Sequence, residues 1–496
     1  MTLGAHVLDL AARHSPLVRD TLRRLGDAPL ADLLAGLRPG RSEPWQSRED
    51  LYQVVADQTA AWYGPAVAAE AVAGLRAQPI VPTSNHFGVD TFADSVQGTL
   101  LFALRPGAPR DVVVLGFGSV SMNNLTYPMG LRLYDPRHGE VGSLPQRLPI
   151  QPNRDKHRTV LAARPYDAGM IDRARGRLAR MRRDGEVSAF CARSADDVLH
   201  QVYASPATLS LPSHALQATR VNTALWDGLF QADPPARLVQ LAIEPISAAL
   251  LSRDLHDPGS LVHQLFFVPQ VRDALLGGLD GVRACWQRDP SRGTVFFWGL
   301  SAAGRRVPLT LDGELLTGID ERGHRLEWKF GPEDLVPALL GGQLLPSLFT
   351  CFATLAFARG LSCVGGYFQA TYLPVMQRGV VDALSVGAEF RAAAERVAQV
   401  PAGLHLASLQ AVARALPGGA LIPAGPVEIA GAGGLSPADV DALTRVPVRE
   451  AHLVAFPEVL DHLVPPEELP TGWAAALAAE SGGRDGGRVI RLEETS

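Results

Sequence analysis

Cysteine is scarce in this chain of 496 residues. Cys191, Cys285, Cys351 and Cys363 lie far apart, with no Cys-x-x-Cys pair and no Cys/His cluster. Such spacing offers neither a zinc site nor a disulfide framework, so buried thiols in a reducing compartment are expected. Long hydrophobic runs are also missing. The most apolar stretch, Leu344 to Ala358, contains Pro346, Ser347 and Thr350. It falls short of the about 20 residues that span a bilayer, and a buried helix is expected there. The opening MTLGAHVLDLAARHSPLVRD has no basic segment ahead of an apolar core, so no signal peptide is expected and the expected location is cytoplasmic. No sign of charge dominates: the net charge is −5 and the pI about 6.2. That balance argues against a chain built to coat nucleic acid. Walker A, Gly-x-Gly-x-x-Gly, Gly-x-Ser-x-Gly and His-Glu-x-x-His strings are all absent. The common kinase, dehydrogenase, hydrolase and zinc-protease readings lose their best support.

What is present suits a packed α/β protein. Hydrophobic residues make up 47% and charged residues 20% of the chain, enough for sizeable cores. The expected fold class is α/β, with a Rossmann-like parallel core. Residues 1–75 show helical spacing and read as a helical cap, with a capping box at Ser47. Residues 76–290 read as the core. Its strands are 79–83, 111–117 and 237–243; the first two are separated by the length of a βαβ unit. Residues 291–380 read as a β-meander and buried helices that complete the core. Turns are expected at Asp312-Gly313 and Arg322-Gly323, with Asp312 and Glu327 on the surface. Residues 381–496 read as a helical C-terminal region with a mobile tail from 481. The arginine-dense segment Ile171 to Arg183 reads as a solvated helix face.

The stretch Gln78 to Arg105, QPIVPTSNHFGVDTFADSVQGTLLFALR, organises the core. An apolar run enters a turn bearing Thr83, Ser84, Asn85, His86, Gly88 and Asp90, and a helical pattern follows. Right-handed crossover puts this turn at the carboxyl edge of a parallel sheet, where open α/β folds bind ligands. The expected roles are His86 as general base or phosphate contact, Asp90 as its partner, and Gly88 as a point of close backbone approach. Thr83 and Asn85 would contact substrate. A second polar loop supplies Asn123 and Asn124. Arg154, Lys156 and Arg158, on one face of an expected strand, would clamp an anion together with Asn153 and His157. Arg220, Asn222, Asp227 and Glu244 form a further polar set, and Gln369 and Tyr372 follow the glycine pair Gly365-Gly366.

The 78–105 stretch resembles the first strand–turn–helix of HIGH-motif nucleotidyltransferases and class I aminoacyl-tRNA synthetases. Pro82, Thr83, His86 and Gly88 match that turn, Val89 replaces its last histidine, and no KMSKS-like loop occurs. The turn also resembles that of the bacillithiol cysteine ligase family, through Thr83 and Gly88, with His86 in place of a glutamine. These resemblances imply a Rossmann-like fold and a ligase or transferase; the cofactor is left open, with ATP and Mg²⁺ as one option. His86-Phe-Gly-Val-Asp90 is similar to the HxxxD string of acyltransferases that use acyl-CoA or carrier-bound donors. The functional expectation is a ligase or group transferase acting on a phosphate-bearing or carboxylate small molecule. The alternatives are such an acyltransferase, or a non-catalytic assembly protein on a degenerate nucleotide-type fold. The expected partner is a small-molecule substrate, not a membrane or nucleic acid; metal ligands are not foreseen, and a homodimer is left open.

Overall fold

A computed structural model describes residues 2–41, 43–287, 293–483 and 489–493. It is a mixed α/β chain. Four parallel strands lie at its centre, here β1 (Ile80–Pro82), β2 (Asp111–Gly116), β3 (Arg237–Ala242) and β4 (Ser362–Val364). β1 pairs with β4 through Ile80↔Ser362 to Pro82↔Val364, and β2 with β3 through Asp111↔Arg237 to Gly116↔Ala242. The two pairs are joined by a bridge just past the strand ends. There Phe87 N–H donates to the Phe117 carbonyl (2.9 Å) and Phe117 N–H to that of Asn85 (3.1 Å). The expected parallel strands are therefore present, but as two linked pairs and not as one continuous Rossmann sheet.

The run DVVVLG explains why this layer sits deep. Alternate side chains leave opposite faces of a strand. Val113 and Leu115 enter one apolar cluster with Leu51, Val55, Leu75 and Ile246. Val112 and Val114 enter another with Leu100, Leu101, Phe102 and Trp226. Helices thus cover both faces: Glu49–Tyr63, Pro65–Ala77 and Ile243–Asp254 on one side, Ala93–Ala103 on the other. Arg359 ties the first side together. Its buried guanidinium donates to Asp50 (2.9 Å), to Asp254 (2.8 Å) and to the Thr354 carbonyl (3.0 Å).

Several expectations change. Residues 1–75 do not gather into one cap: Val7, Leu10 and Val18 pack with Leu453, Phe456 and Leu477 near the other end of the chain. The helix after Ser47 starts at Glu49, with Ser47 Oγ accepting from the Glu49 N–H and Asp50 committed to Arg359. Segment 344–358 is a strand, Leu344–Pro346, then a helical turn Leu348–Phe352 that widens into a π-turn Ala353–Phe357, all buried except the half-buried Leu348. The strand pairs antiparallel with Phe297–Leu300, which Arg306–Pro308 flanks on its other edge. The meander continues through Thr310–Asp312, Leu315–Ile319 and Arg325–Lys329, and Gly313 and Gly323 take positive φ at the expected turns. Residues beyond 385 are not only helical. Val412–Ala415 pairs with Leu421–Pro423 and, in parallel, with Ile490–Leu492. The supposed tail therefore contains a paired strand; its residues 484–488 and 494–496 lie outside the described residues. All four cysteines are buried and unbridged. No helix among the described residues is long and apolar enough to cross a membrane.

Candidate functional site

β1 and β2 both end at a cavity of about 580 Å³. Thr83, Ser84 and His86 from the first turn and Ser119 and Thr126 from the second line it, as do Gln369 and Tyr372. The sheet edge thus gathers two expected polar loops and the residues after Gly365-Gly366 around one space. Gln369 Nε2 donates to Thr83 Oγ1 (2.7 Å), joining the wall across the paired strands. His86 Nδ1 hydrogen-bonds Thr126 Oγ1 (3.2 Å). The surrounding protein pushes the imidazole pKa down to about 4; Asn124 raises it in part, and the nearby Arg306 charge lowers it further. The ring is therefore neutral at pH 7. It can accept a proton or a hydrogen bond but brings no charge to a phosphate.

Asp90 does not meet His86. Its carboxylate turns inward, accepting from Asn85 Nδ2 (3.0 Å), Ser95 Oγ (2.7 Å) and the Phe92 N–H (3.1 Å). Asn222 clamps the same turn: Oδ1 accepts from the Asp90 N–H (2.9 Å), and Nδ2 donates to the Gly88 carbonyl (2.7 Å). Asn85, Asp90 and Asn222 thus brace the turn from behind. Gly88 has φ +128, and a Cβ there would stand 2.8 Å from Pro128 Cβ. Its freedom serves packing, not ligand approach.

The cations expected for an anion clamp lie elsewhere. Residues 153–155 form a 3-10 turn and not a strand, so alternation does not align Arg154, Lys156 and Arg158. Arg154 is exposed, and Arg158 binds Asp155 (3.4 Å) and the Ala162 carbonyl (3.3 Å). None of the three lines the cavity, nor do Asn123, Asn124, Arg220 and Asp227. Arg220 is on the surface. Glu244 is fully buried beneath the second loop, accepting from the N–H groups of Gly118 (2.9 Å) and Ser119 (2.7 Å). It shapes the floor.

Sequence reasoning missed the charged part of the wall. Arg306, at the start of a meander strand, lies 4.5 Å over the Trp298 ring and within electrostatic reach of His86 and Glu244. Arg283 lies 3.8 Å over the Phe368 ring. Both line the cavity, as does Asp94 from the helix Ala93–Ala103. Asp94 is 8% exposed, and Ser408 Oγ donates to its Oδ2 (3.5 Å). Burial pushes its pKa up to about 8; the Glu458 charge adds to the rise, Ser408 opposes it and Asp90 adds a little more. An aspartate in a first helical turn reads as solvent-facing, and only the tertiary arrangement buries Asp94; Arg306 stays exposed and reaches the cavity from its edge.

The arrangement is a partly open cavity with aromatic walls, two exposed guanidinium groups, a neutral imidazole, several hydroxyls and one buried carboxyl. Such a mixture holds and orients a small organic molecule. Among the described residues, no cluster of three histidine, cysteine or acidic side chains offers a metal site. Protein-family models, characterised proteins and solved structures were each compared with the chain, and none matches it.

Proposed function

We propose that the chain is a group transferase or ligase for a small molecule bearing a carboxylate or phosphate, which binds in the cavity beside His86. The observation that carries this reading is the meeting of the β1 and β2 loop ends with Arg306 around one cavity. Arg306 and Arg283 serve as the anion contacts, in place of Arg154, Lys156 and Arg158. Guanidinium groups suit this task because they stay charged and bind planar oxyanions through paired donors. Neutral His86 receives the proton from the attacking group. A bound anion favours that step, since its charge raises the imidazole pKa, opposing the effect of Arg306.

The reading is tested by thermal unfolding with a panel of nucleotides, acyl-CoAs and sugar phosphates, on wild type, His86→Ala and Arg306→Ala. At 100 times Kd a ligand adds roughly 2.7 kcal/mol of stability. At least one anionic compound is expected to stabilise wild type, with the shift lost in Arg306→Ala. Turnover of that compound should vanish in His86→Ala while folding persists. A wild type indifferent to the whole panel sinks the reading.

One observation favours a second reading, a binding protein without catalysis. His86 Nδ1 bonds a threonine hydroxyl and not a carboxylate that would orient the ring. Stabilisation by an anion with no turnover in any partner combination supports that case.

A further inference from the structure

Asp94 has no evident structural task. It lies in the cavity wall, and its Oδ1 is buried with no hydrogen-bond partner. Leaving a carboxyl oxygen unpaired in a buried site costs free energy that a ligand can return. The groups around it are Ser408, the Tyr367 hydroxyl, and the carboxyls of Glu458 and Asp90. None of these is a cation. Glu458 has its own, Arg132 (3.2 Å), and also accepts from Gln410 (3.1 Å). Tyr367 is committed too, donating to the Ser408 carbonyl (3.0 Å). Arg132 is thus committed to Glu458, and among the described residues no cation is paired with Asp94. The cavity's arginines, Arg283 and Arg306, belong to other walls, the 282–287 segment and the meander.

We propose that Asp94 is the contact for a primary ammonium group of the substrate, which makes the ligand a zwitterion with its anionic group toward Arg306. This rests on the anion reading of the same cavity. A bound ammonium supplies the missing positive charge and a donor for Oδ1. The carboxyl, neutral while the cavity is empty, then ionises and releases its proton to solvent.

The test uses matched probes by calorimetry and thermal unfolding at pH 7: 4-aminobutyrate, 6-aminohexanoate and 8-aminooctanoate, their N-acetyl derivatives, and butyrate, hexanoate and octanoate. Wild type is expected to bind at least one zwitterion roughly 30-fold or more tightly than its acetylated and deaminated counterparts, the size of effect a desolvated charge pair carries. Asp94→Asn keeps the shape and a neutral donor, and is expected to bring the zwitterion down to the affinity of the plain acid. Equal affinity of zwitterion and acid in wild type overturns the proposal, and needs no variant. So does an Asp94→Asn protein that holds the zwitterion as wild type does. In either case the anion reading survives if the acids bind and Arg306→Ala abolishes that binding. If no probe binds wild type, both readings fall.

Discussion

At the scale of single residues, the buried histidines set a pH signature. The His214 ring is 2% exposed and neither nitrogen has a hydrogen-bond partner among the described residues. Burial pushes its pKa down to about 4, and likewise those of His86 and His405, with His452 at about 3. An unfolded histidine titrates near 6.5, so below that pH the unfolded chain takes up protons that the folded chain refuses. This contribution to stability is intact above about pH 6.5 and is lost as pH falls toward 4. Asp94, held up to about 8, and Glu428, about 7, act oppositely: the folded state keeps their protons while the unfolded state has lost them, so they weaken the fold as pH rises from about 4 to 8. His214→Leu is therefore expected to flatten the acid side of the Tm-versus-pH curve between pH 6.5 and 4.5. Curves that run parallel for wild type and variant would show that His214 is not responsible. Single residues are also where the sequence misled most. Asp90 looked like a site residue because it is polar and close to His86, and Asn222 because it falls in a polar set with Arg220, Asp227 and Glu244, yet both brace the turn from inside. Arg306 looked like an ordinary strand position. Which way a polar side chain points depends on partners far along the chain, such as Asn222 for the 88–90 turn.

At the scale of elements, the helix Ala93–Ala103 shows both what pattern reveals and what it hides. Its apolar positions and the preceding turn make it readable as a helix. Gly98 within it would be judged a weakness, since alanine is about 1 kcal/mol better in a helix interior. The structure gives it a reason: a Cβ at Gly98 would stand 2.9 Å from Ala407 Cα. The neighbouring Gln97 holds the same region, accepting from the N–H groups of Ala411 and Val412 and donating to the carbonyls of Val412 and Ala424 (all 2.9 Å). Gly98→Ala is thus expected to lose about 1–3 kcal/mol by urea unfolding, the usual cost of overpacking, despite the better propensity. It should also weaken ligand binding, because Ser408 beside Asp94 follows Ala407 directly. A variant as stable as wild type would mean the 407 segment yields freely. Arg359 offers a second test between elements, since its loss strands the buried carboxylate of Asp254 and the less buried one of Asp50. Arg359→Leu should cost about 3–5 kcal/mol in the same assay. A loss below about 1 kcal/mol would show that the carboxylates relax to solvent or take up protons. Strands without their own signal were invisible beforehand. Leu344–Pro346 reads as part of an apolar helix, and only its pairing with Phe297–Leu300 makes it a strand.

At the scale of the whole molecule, the parallel strands and their buried position were legible because a continuous apolar run such as DVVVLG suits only a doubly covered strand. The placement of the first polar turn at the carboxyl edge was legible for the same reason. Long-range closure was not. The N-terminal helices pack with residues beyond 450, and residues 490–492 complete a sheet begun at 412. No local periodicity encodes such meetings. The cavity is the extreme case, drawing its wall from 83–126, 282–287 with 293–306, 347–372, 408 and 459–463. A molecule lodged there would act as a bolt through five stretches of chain. Its arrival should slow amide hydrogen exchange in all of them together, including the meander, rather than only in the turn around His86. Protein motion and occupancy would then be a single variable.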